Sequence, residues 1–140
     1  MIDDWNVASD VWSVTSFSEL ARDAREVERA RRLDPDATAT SYLQQLVGDA
    51  PIIAATDYVC AYPQLIAPYL CARFVALGTD GFGRSDTRAV LRKFFEVDRY
   101  HIVLATLNAL ADAGTLSRDK HREAIARYKV EADALPPWQH

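Results

Sequence analysis

An α/β fold is predicted, a three-layer arrangement in which a small, mostly parallel sheet is flanked by helices. Three observations predict it. The apolar run Phe74, Val75, Ala76 and Leu77 stops abruptly in a turn carrying Gly78, Gly81 and Gly83, and a short continuous apolar run suits a strand buried on both faces. A second run, Ile52 to Val59, is introduced by Gly48 and Pro51 and returns to the first through a crossover of about a dozen residues, as parallel strands require. Helical spacing resumes beyond the turn at Val90, Leu91 and Phe94. Strand, turn and helix in that order are the parts of an α/β layer, with the turn at a carboxyl edge of the sheet.

Composition bounds this reading. A chain of 140 residues that is 49% hydrophobic can bury one substantial core, so residues 1–140 are read as one domain. Sixteen Lys and Arg against 20 Asp and Glu give a formal charge of -4, which offers no broad electrostatic case for nucleic acid. The sequence has no apolar stretch of membrane-spanning length, and Met1 to Asp4 does not open a secretory signal. A soluble, cytoplasmic chain with no membrane contact is the expectation. Cys60 and Cys71 form no redox motif, and on one helix they would lie about 16 Å apart along the axis, too far for a disulfide. His101, His121 and His140 show no compact metal-ligand spacing.

Taken in order, residues 1–9 are mostly polar and read as an edge or the approach to a strand. Residues 11–17 alternate bulky and small side chains with apolar groups on both faces, which predicts a third strand partly buried under helices. Ser16 and Glu19 have capping-box spacing ahead of a helix over 19–33, with Leu20, Ala24, Val27 and Ala30 as its apolar stripe and pairs such as Glu28 with Arg32 on its wet face. Asp34 and Pro35 break it, and 34–40 is a loop. Tyr42 to Val47 is a short helix ended by Gly48. After the strand at 52–59, Asp57 is a carboxylate that must be exposed, paired or protonated; capping, an interface role and direct chemistry all remain open for it. Residues 58–70 form a crossover helix that Pro68 splits.

The carboxyl-terminal half reads as architectural. Residues 87–95 set Val90, Leu91 and Phe94 on the sheet with Arg88 and Arg92 in water. Asp98 caps a helix over 99–112, whose stripe of Val103, Leu104, Leu107, Leu110 and Ala111 is the strongest in the chain, and Val97 with Ile102 staples its entrance. His101 is read as a structural or interface residue, with acid–base work as the alternative. Ser117 caps a last helix that packs back through Ala124, Ile125 and Tyr128. The tail, 131–140, is stiffened by Pro136 and Pro137 and offers Trp138 as an anchor on the fold or on a neighbouring subunit.

The candidate site is the turn itself: Gly78, Asp80, Gly81, Phe82, Gly83, Arg84, Ser85 and Asp86. It lacks both the phosphate-loop and the dinucleotide signatures. Arg84 and the amides near residues 86–88 can hold an anion, while Asp80 and Asp86 oppose one. Organisation of the sheet edge or a subunit contact, shaping of a neighbouring active site, and an independent anion site all stay open.

GTDGFGRSD at 78–86, DVWSVTSFSEL at 10–20, IIAATDYV at 52–59 and FFEVDRYHIVLATLNALA at 94–111 together resemble the C-terminal domain of the homodimeric pyruvate dehydrogenase E1 component, of the transketolase-like superfamily. The resemblance covers nearly the whole chain. It implies a transketolase C-terminal-like domain, clipped at its first strand, because a strand and helix that precede the DVWSVTSF segment in that family have no counterpart here. It also implies that thiamine diphosphate and magnesium belong to other domains of the full enzyme, with no catalytic, cofactor or metal residue in this chain. The partners implied are the remaining E1 domains, a second E1 subunit and the lipoyl-bearing acetyltransferase. An uncovered sheet edge would in addition let the chain associate with itself.

The function expected is therefore that of a noncatalytic structural and assembly domain of an enzyme that decarboxylates pyruvate and reductively acetylates lipoyl groups, inactive when isolated. The alternatives are a freestanding α/β module that uses the 78–86 loop to bind an anion or a protein, and a small independent enzyme.

Overall fold

The computed structural model describes residues 1–139. Two parallel strands lie at its centre, β1 (Ile52–Ala55) and β2 (Phe74–Leu77), with Ile52 beside Phe74 and Ala55 beside Leu77. Helices surround this pair. The α/β class read from the sequence is the observed one, with the two strands parallel as expected, though each is shorter than the apolar run that announced it.

The amino-terminal residues differ from expectation. Ile2–Trp5 form a one-turn helix, α1, that delivers Trp5 into the core, where it is only 3% exposed. Its indole Nε1 donates to the Tyr128 hydroxyl at 2.6 Å, and the two rings meet edge to face at 6.0 Å. Residues 10–17 form no strand: Val11 is 90% exposed and Trp12 57%. Their alternation puts bulk on both faces, so a strand here needs cover on two sides, and among the described residues no strand pairs with it. The sheet accordingly has two strands where three were expected.

Helix α2 (Phe17–Leu33) starts where Ser16 Oγ accepts the Glu19 amide at 3.2 Å. Only this half of the expected capping box forms, because the Glu19 carboxylate turns to Arg22 instead. Arg22 also pairs with Glu26, in place of the expected Glu28 and Arg32 pair. Ala21 and Ala24 carry the buried stripe of α2, whereas Ala30 is exposed. The complete box lies at Ser41, whose hydroxyl accepts the Gln44 amide while Gln44 returns a bond to the Ser41 amide. It opens α3 (Tyr42–Leu46), which ends on an extended Val47 and not on Gly48.

Between the strands the chain makes α4 (Ala61–Gln64) and then a 3₁₀ turn at Ala67–Tyr69, the split that Pro68 demands. Pro63 and Ile66 are buried, while Leu65 is not. Beyond β2 come α5 (Arg88–Phe94), α6 (Arg99–Asp112) and α7 (Arg118–Tyr128). Asp98 caps α6 by accepting the Tyr100 and His101 amides at 2.9 and 3.0 Å.

Helix α5 ends in a way its sequence hides. Glu96 takes the left-handed conformation, φ 58°, so that its amide bonds Lys93 O and the Val97 amide bonds Arg92 O, the pair of bonds that usually ends a helix on glycine. The turn sends Phe95 and Val97 inward. Val90, expected on the sheet, is instead exposed.

The core has two centres. One joins Trp5, Leu107 and Ala124 with Val103, Leu104, Leu116 and Tyr128; the other joins Ala21, Leu43 and Ile66 with Phe17, Tyr69, Leu70 and Phe74. Helix α6, which packs on both α7 and β1, supplies Leu107, Val103 and Leu104 to the first. The tail closes as a 3₁₀ turn at Pro137–Gln139, in place of the extended segment expected from its prolines, and is anchored by buried Pro137; Trp138 is 62% exposed.

Trp5 supplies the first test. Trp5→Ala should cost about 3–5 kcal/mol by denaturant unfolding, the usual result of emptying a buried aromatic site. Tyr128→Phe, which removes only the indole's acceptor, should cost about 0.5–1.5 kcal/mol.

Candidate functional site

Parallel strands send their exits to the same end of a sheet, so the residues after β1 and those after β2 must meet. They meet at Gly78. The Thr79 amide donates to Tyr58 O at 2.9 Å, the Thr79 hydroxyl donates to Asp57 O at 3.2 Å, and the Cys60 amide donates to Asp80 Oδ1 at 3.1 Å. A β-carbon at Gly78 would stand 2.6 Å from Tyr58 O and 2.8 Å from Cys60 N. Space, not dihedral angle, requires this glycine.

Gly81 is required for the other reason. Its φ is 114°, and a β-carbon there would also meet Pro137 O at 3.0 Å, so the tail turn rests on the glycine loop. Gly83, by contrast, has open space around it and ordinary backbone.

The rest of the loop faces a cleft of about 510 Å³ between the sheet edge and α5. Phe95 and Val97 form its buried floor with Leu91, while Phe82, 83% exposed, stands at its mouth. Arg84, Arg88 and Arg92 bring positive charge. Arg92 reaches Asp57 at 3.4 Å, which settles how that carboxylate is satisfied: it is exposed and paired. Arg84 lies 4.3 Å above the Phe94 ring. Arg88 has no ion pair among the described residues.

The loop's carboxylates are used internally. Asp80 is taken by the Cys60 amide, and Asp86 accepts the Thr87 amide at 2.7 Å. Of the eight residues singled out from sequence, Phe82, Gly83, Arg84 and Asp86 line the cleft, Gly78, Asp80 and Gly81 build the loop behind it, and Ser85 is exposed outside the lining. Sequence reasoning missed that Asp57, Arg88 and Arg92 belong to the same cleft. The signal was present: Arg88 and Arg92 are four apart on a helix, and Asp57 follows the strand parallel to β2.

Cys60 sits under the loop. Burial first, then hydrogen bonding to Asp80 and its negative charge, push the thiol from its ordinary 9.0 up to about 12. The folded chain therefore holds Cys60 protonated, and its preference for the thiol is fully present below pH 9 and is lost as pH rises toward 12. Cys71 is exposed, and both cysteines are free. His101 Nδ1 lies 2.8 Å from Asp98 Oδ1 at the start of α6. Burial, and secondarily Arg118, lower the pKa of His121. His140 lies outside the described residues.

Comparison with known proteins follows the same outline. Residues 1–98 match the model of the transketolase-like TK C-terminal domain family. The chain is 50% identical over 137 residues to the pyruvate dehydrogenase E1 component of Cupriavidus necator, an alignment that takes in 96% of this chain and 15% of that protein. It is 46% identical over 138 residues to the same component of Pseudomonas aeruginosa and 43% identical over 136 to that of Escherichia coli K12, covering 96% of this chain in each case and 16% and 15% of those proteins. The chain thus spans about a sixth of the length of these relatives.

Two substitutions and one labelling experiment check the loop. Gly78→Ala should cost about 1–3 kcal/mol, since backbone on both sides must move, whereas Gly83→Ala should stay within about 0.5 kcal/mol. At pH 8, iodoacetamide followed by mass spectrometry should modify Cys71 and leave Cys60 largely unmodified. Asp80→Asn should speed the labelling of Cys60 in the folded chain; equal labelling of both thiols in the unaltered protein would contradict the packing described.

Proposed function

Because the chain belongs to the transketolase-like C-terminal domain family, we propose that it is a noncatalytic structural and assembly domain of a pyruvate dehydrogenase E1 component. The observation that carries this is similarity running along 96% of the chain to E1 components of which it covers 15–16%. The full enzyme decarboxylates pyruvate and passes the acetyl group to a lipoyl group; this domain supports the assembly in which that happens. Its partners are the remaining E1 domains, a second E1 subunit and, through the full enzyme, the lipoyl-bearing acetyltransferase.

Thiamine diphosphate supplies the electron sink for the decarboxylation. The residues of the 78–86 loop do not fit it with its magnesium. Asp80 and Asp86 already accept backbone amides, Arg84 stacks on Phe94, and among the described residues no three His, Cys, Asp or Glu side chains are grouped to hold a metal. In this reading the cofactor is held by other domains of the full enzyme, and the loop serves as a contact surface. Exposed Phe82 and Arg84 are the side chains it presents. Among the described residues no helix is long and apolar enough to cross a membrane.

The test uses full-length E1 carrying this segment. Phe82→Ala with Arg84→Ala should weaken its dimer about tenfold or more, and pyruvate turnover should fall in parallel and return at high protein concentration. The isolated chain should show no turnover. Turnover by the isolated chain would establish an independent enzyme. Lost kcat with the dimer intact would mean that the loop shapes an active site, and either result would displace the assembly role.

A further inference from the structure

The cleft at the sheet edge is more than the outer wall of a loop. It combines an apolar floor of Leu91, Phe95 and Val97 with a rim on which Arg84, Arg88 and Arg92 outnumber Asp57 and Asp86. Asp57 is paired with Arg92, and Asp86 accepts the Thr87 amide while keeping its charge, so the three arginines leave the rim with a net positive charge of one. What remains for an incoming group is the Arg88 guanidinium, Arg84 fixed over Phe94, and the open face of Phe82. At about 510 Å³ the cleft is far larger than a single carboxylate or phosphate needs.

We propose that this cleft is the docking site for an acidic peptide segment of a partner protein, one that carries an apolar side chain between its carboxylates. The inference rests on the reading of the 78–86 loop as a contact surface and names what that surface takes. Two features select a peptide over a small anion. The arginines lie on the exposed rim and not in an enclosed cage, so a lone anion would meet them one at a time in water, where each contact is weak. The floor is apolar, and desolvating it requires a side chain such as Leu or Phe attached to the acidic groups. An extended chain satisfies both at once, with an apolar anchor on Phe95 and Val97 and carboxylates at Arg88 and Arg84. Phe82 then closes over the anchor.

The experiment titrates the ¹⁵N-labelled 140-residue chain with a blocked hexapeptide, EDLEDF, and in parallel with its neutral analogue QNLQNF and with inorganic phosphate. Binding of EDLEDF should shift the amides of residues 82–97 and leave α7 unmoved. QNLQNF should bind about tenfold more weakly, and Arg88→Glu should weaken EDLEDF about tenfold with the rest of the spectrum unchanged. Equal affinity for the two peptides, the same shifts from phosphate alone, or shifts mapping away from the cleft would overturn the proposal. So would ultracentrifugation that found the cleft already closed by a second copy of the chain. If peptide binding fails while the Phe82 and Arg84 substitutions still weaken the E1 dimer, the docking inference falls and the assembly role stands. If the peptide binds and the dimer is indifferent to those substitutions, the reverse holds.

Discussion

The close approach of two strand exits is the constraint on which the rest of this structure depends. A parallel pair delivers both chain ends to one edge, and here they run so near each other that only a hydrogen atom fits at Gly78. The short distance allows Thr79 to bond Tyr58 and Asp57, and Asp80 to bond Cys60. Those bonds consume the polar groups at the root of the loop. Its tip is left to project Phe82 and Arg84 beside α5. The same packing raises the Cys60 thiol out of the reactive range, which links a steric fact about one glycine to the chemistry of a side chain eighteen positions earlier.

Stability is supplied away from that edge. A two-stranded sheet alone is marginal, and two clusters of buried side chains add to it, one built on α6 with Trp5 and α7 and the other joining Ala21, Leu43 and Ile66. Asp112 near the end of α6 joins Arg73, just before β2, and Arg118, at the start of α7, at 3.1 and 2.9 Å. These pairs are half exposed and their energetic share is small; they set the register of three elements more than they hold them together. The packed clusters thus stand behind the loop, an arrangement that lets exposed side chains be presented on a buried base.

Legibility in the sequence followed the range of the interaction concerned. The two apolar strand runs, the capped start of α6, the split crossover and the glycine loop were readable because each is decided within a few residues, and the crossover length between the runs made them parallel. Trp5 was not, since its partner Tyr128 lies at the far end of the chain and the residues around it are polar. Residues 10–17 misled for the opposite reason: local alternation promised a strand, but a strand exists only with a neighbour, and none is provided among the described residues. Glu96 concealed a helix end that glycine would have announced. At the candidate site the loop was visible as a motif, whereas the cleft was not, because Asp57 is brought to Arg84, Arg88 and Arg92 from a separate stretch, across the parallel pair of strands.

Hydrogen exchange at two amides tests the central claim most directly. If the strand exits are locked at Gly78, the Cys60 amide held by Asp80 and the Thr79 amide held by Tyr58 should exchange only through large-scale unfolding, as slowly as amides inside β2. Exchange of both at the rate of an unstructured peptide, with β2 still protected, would contradict it and leave the loop without a fixed base.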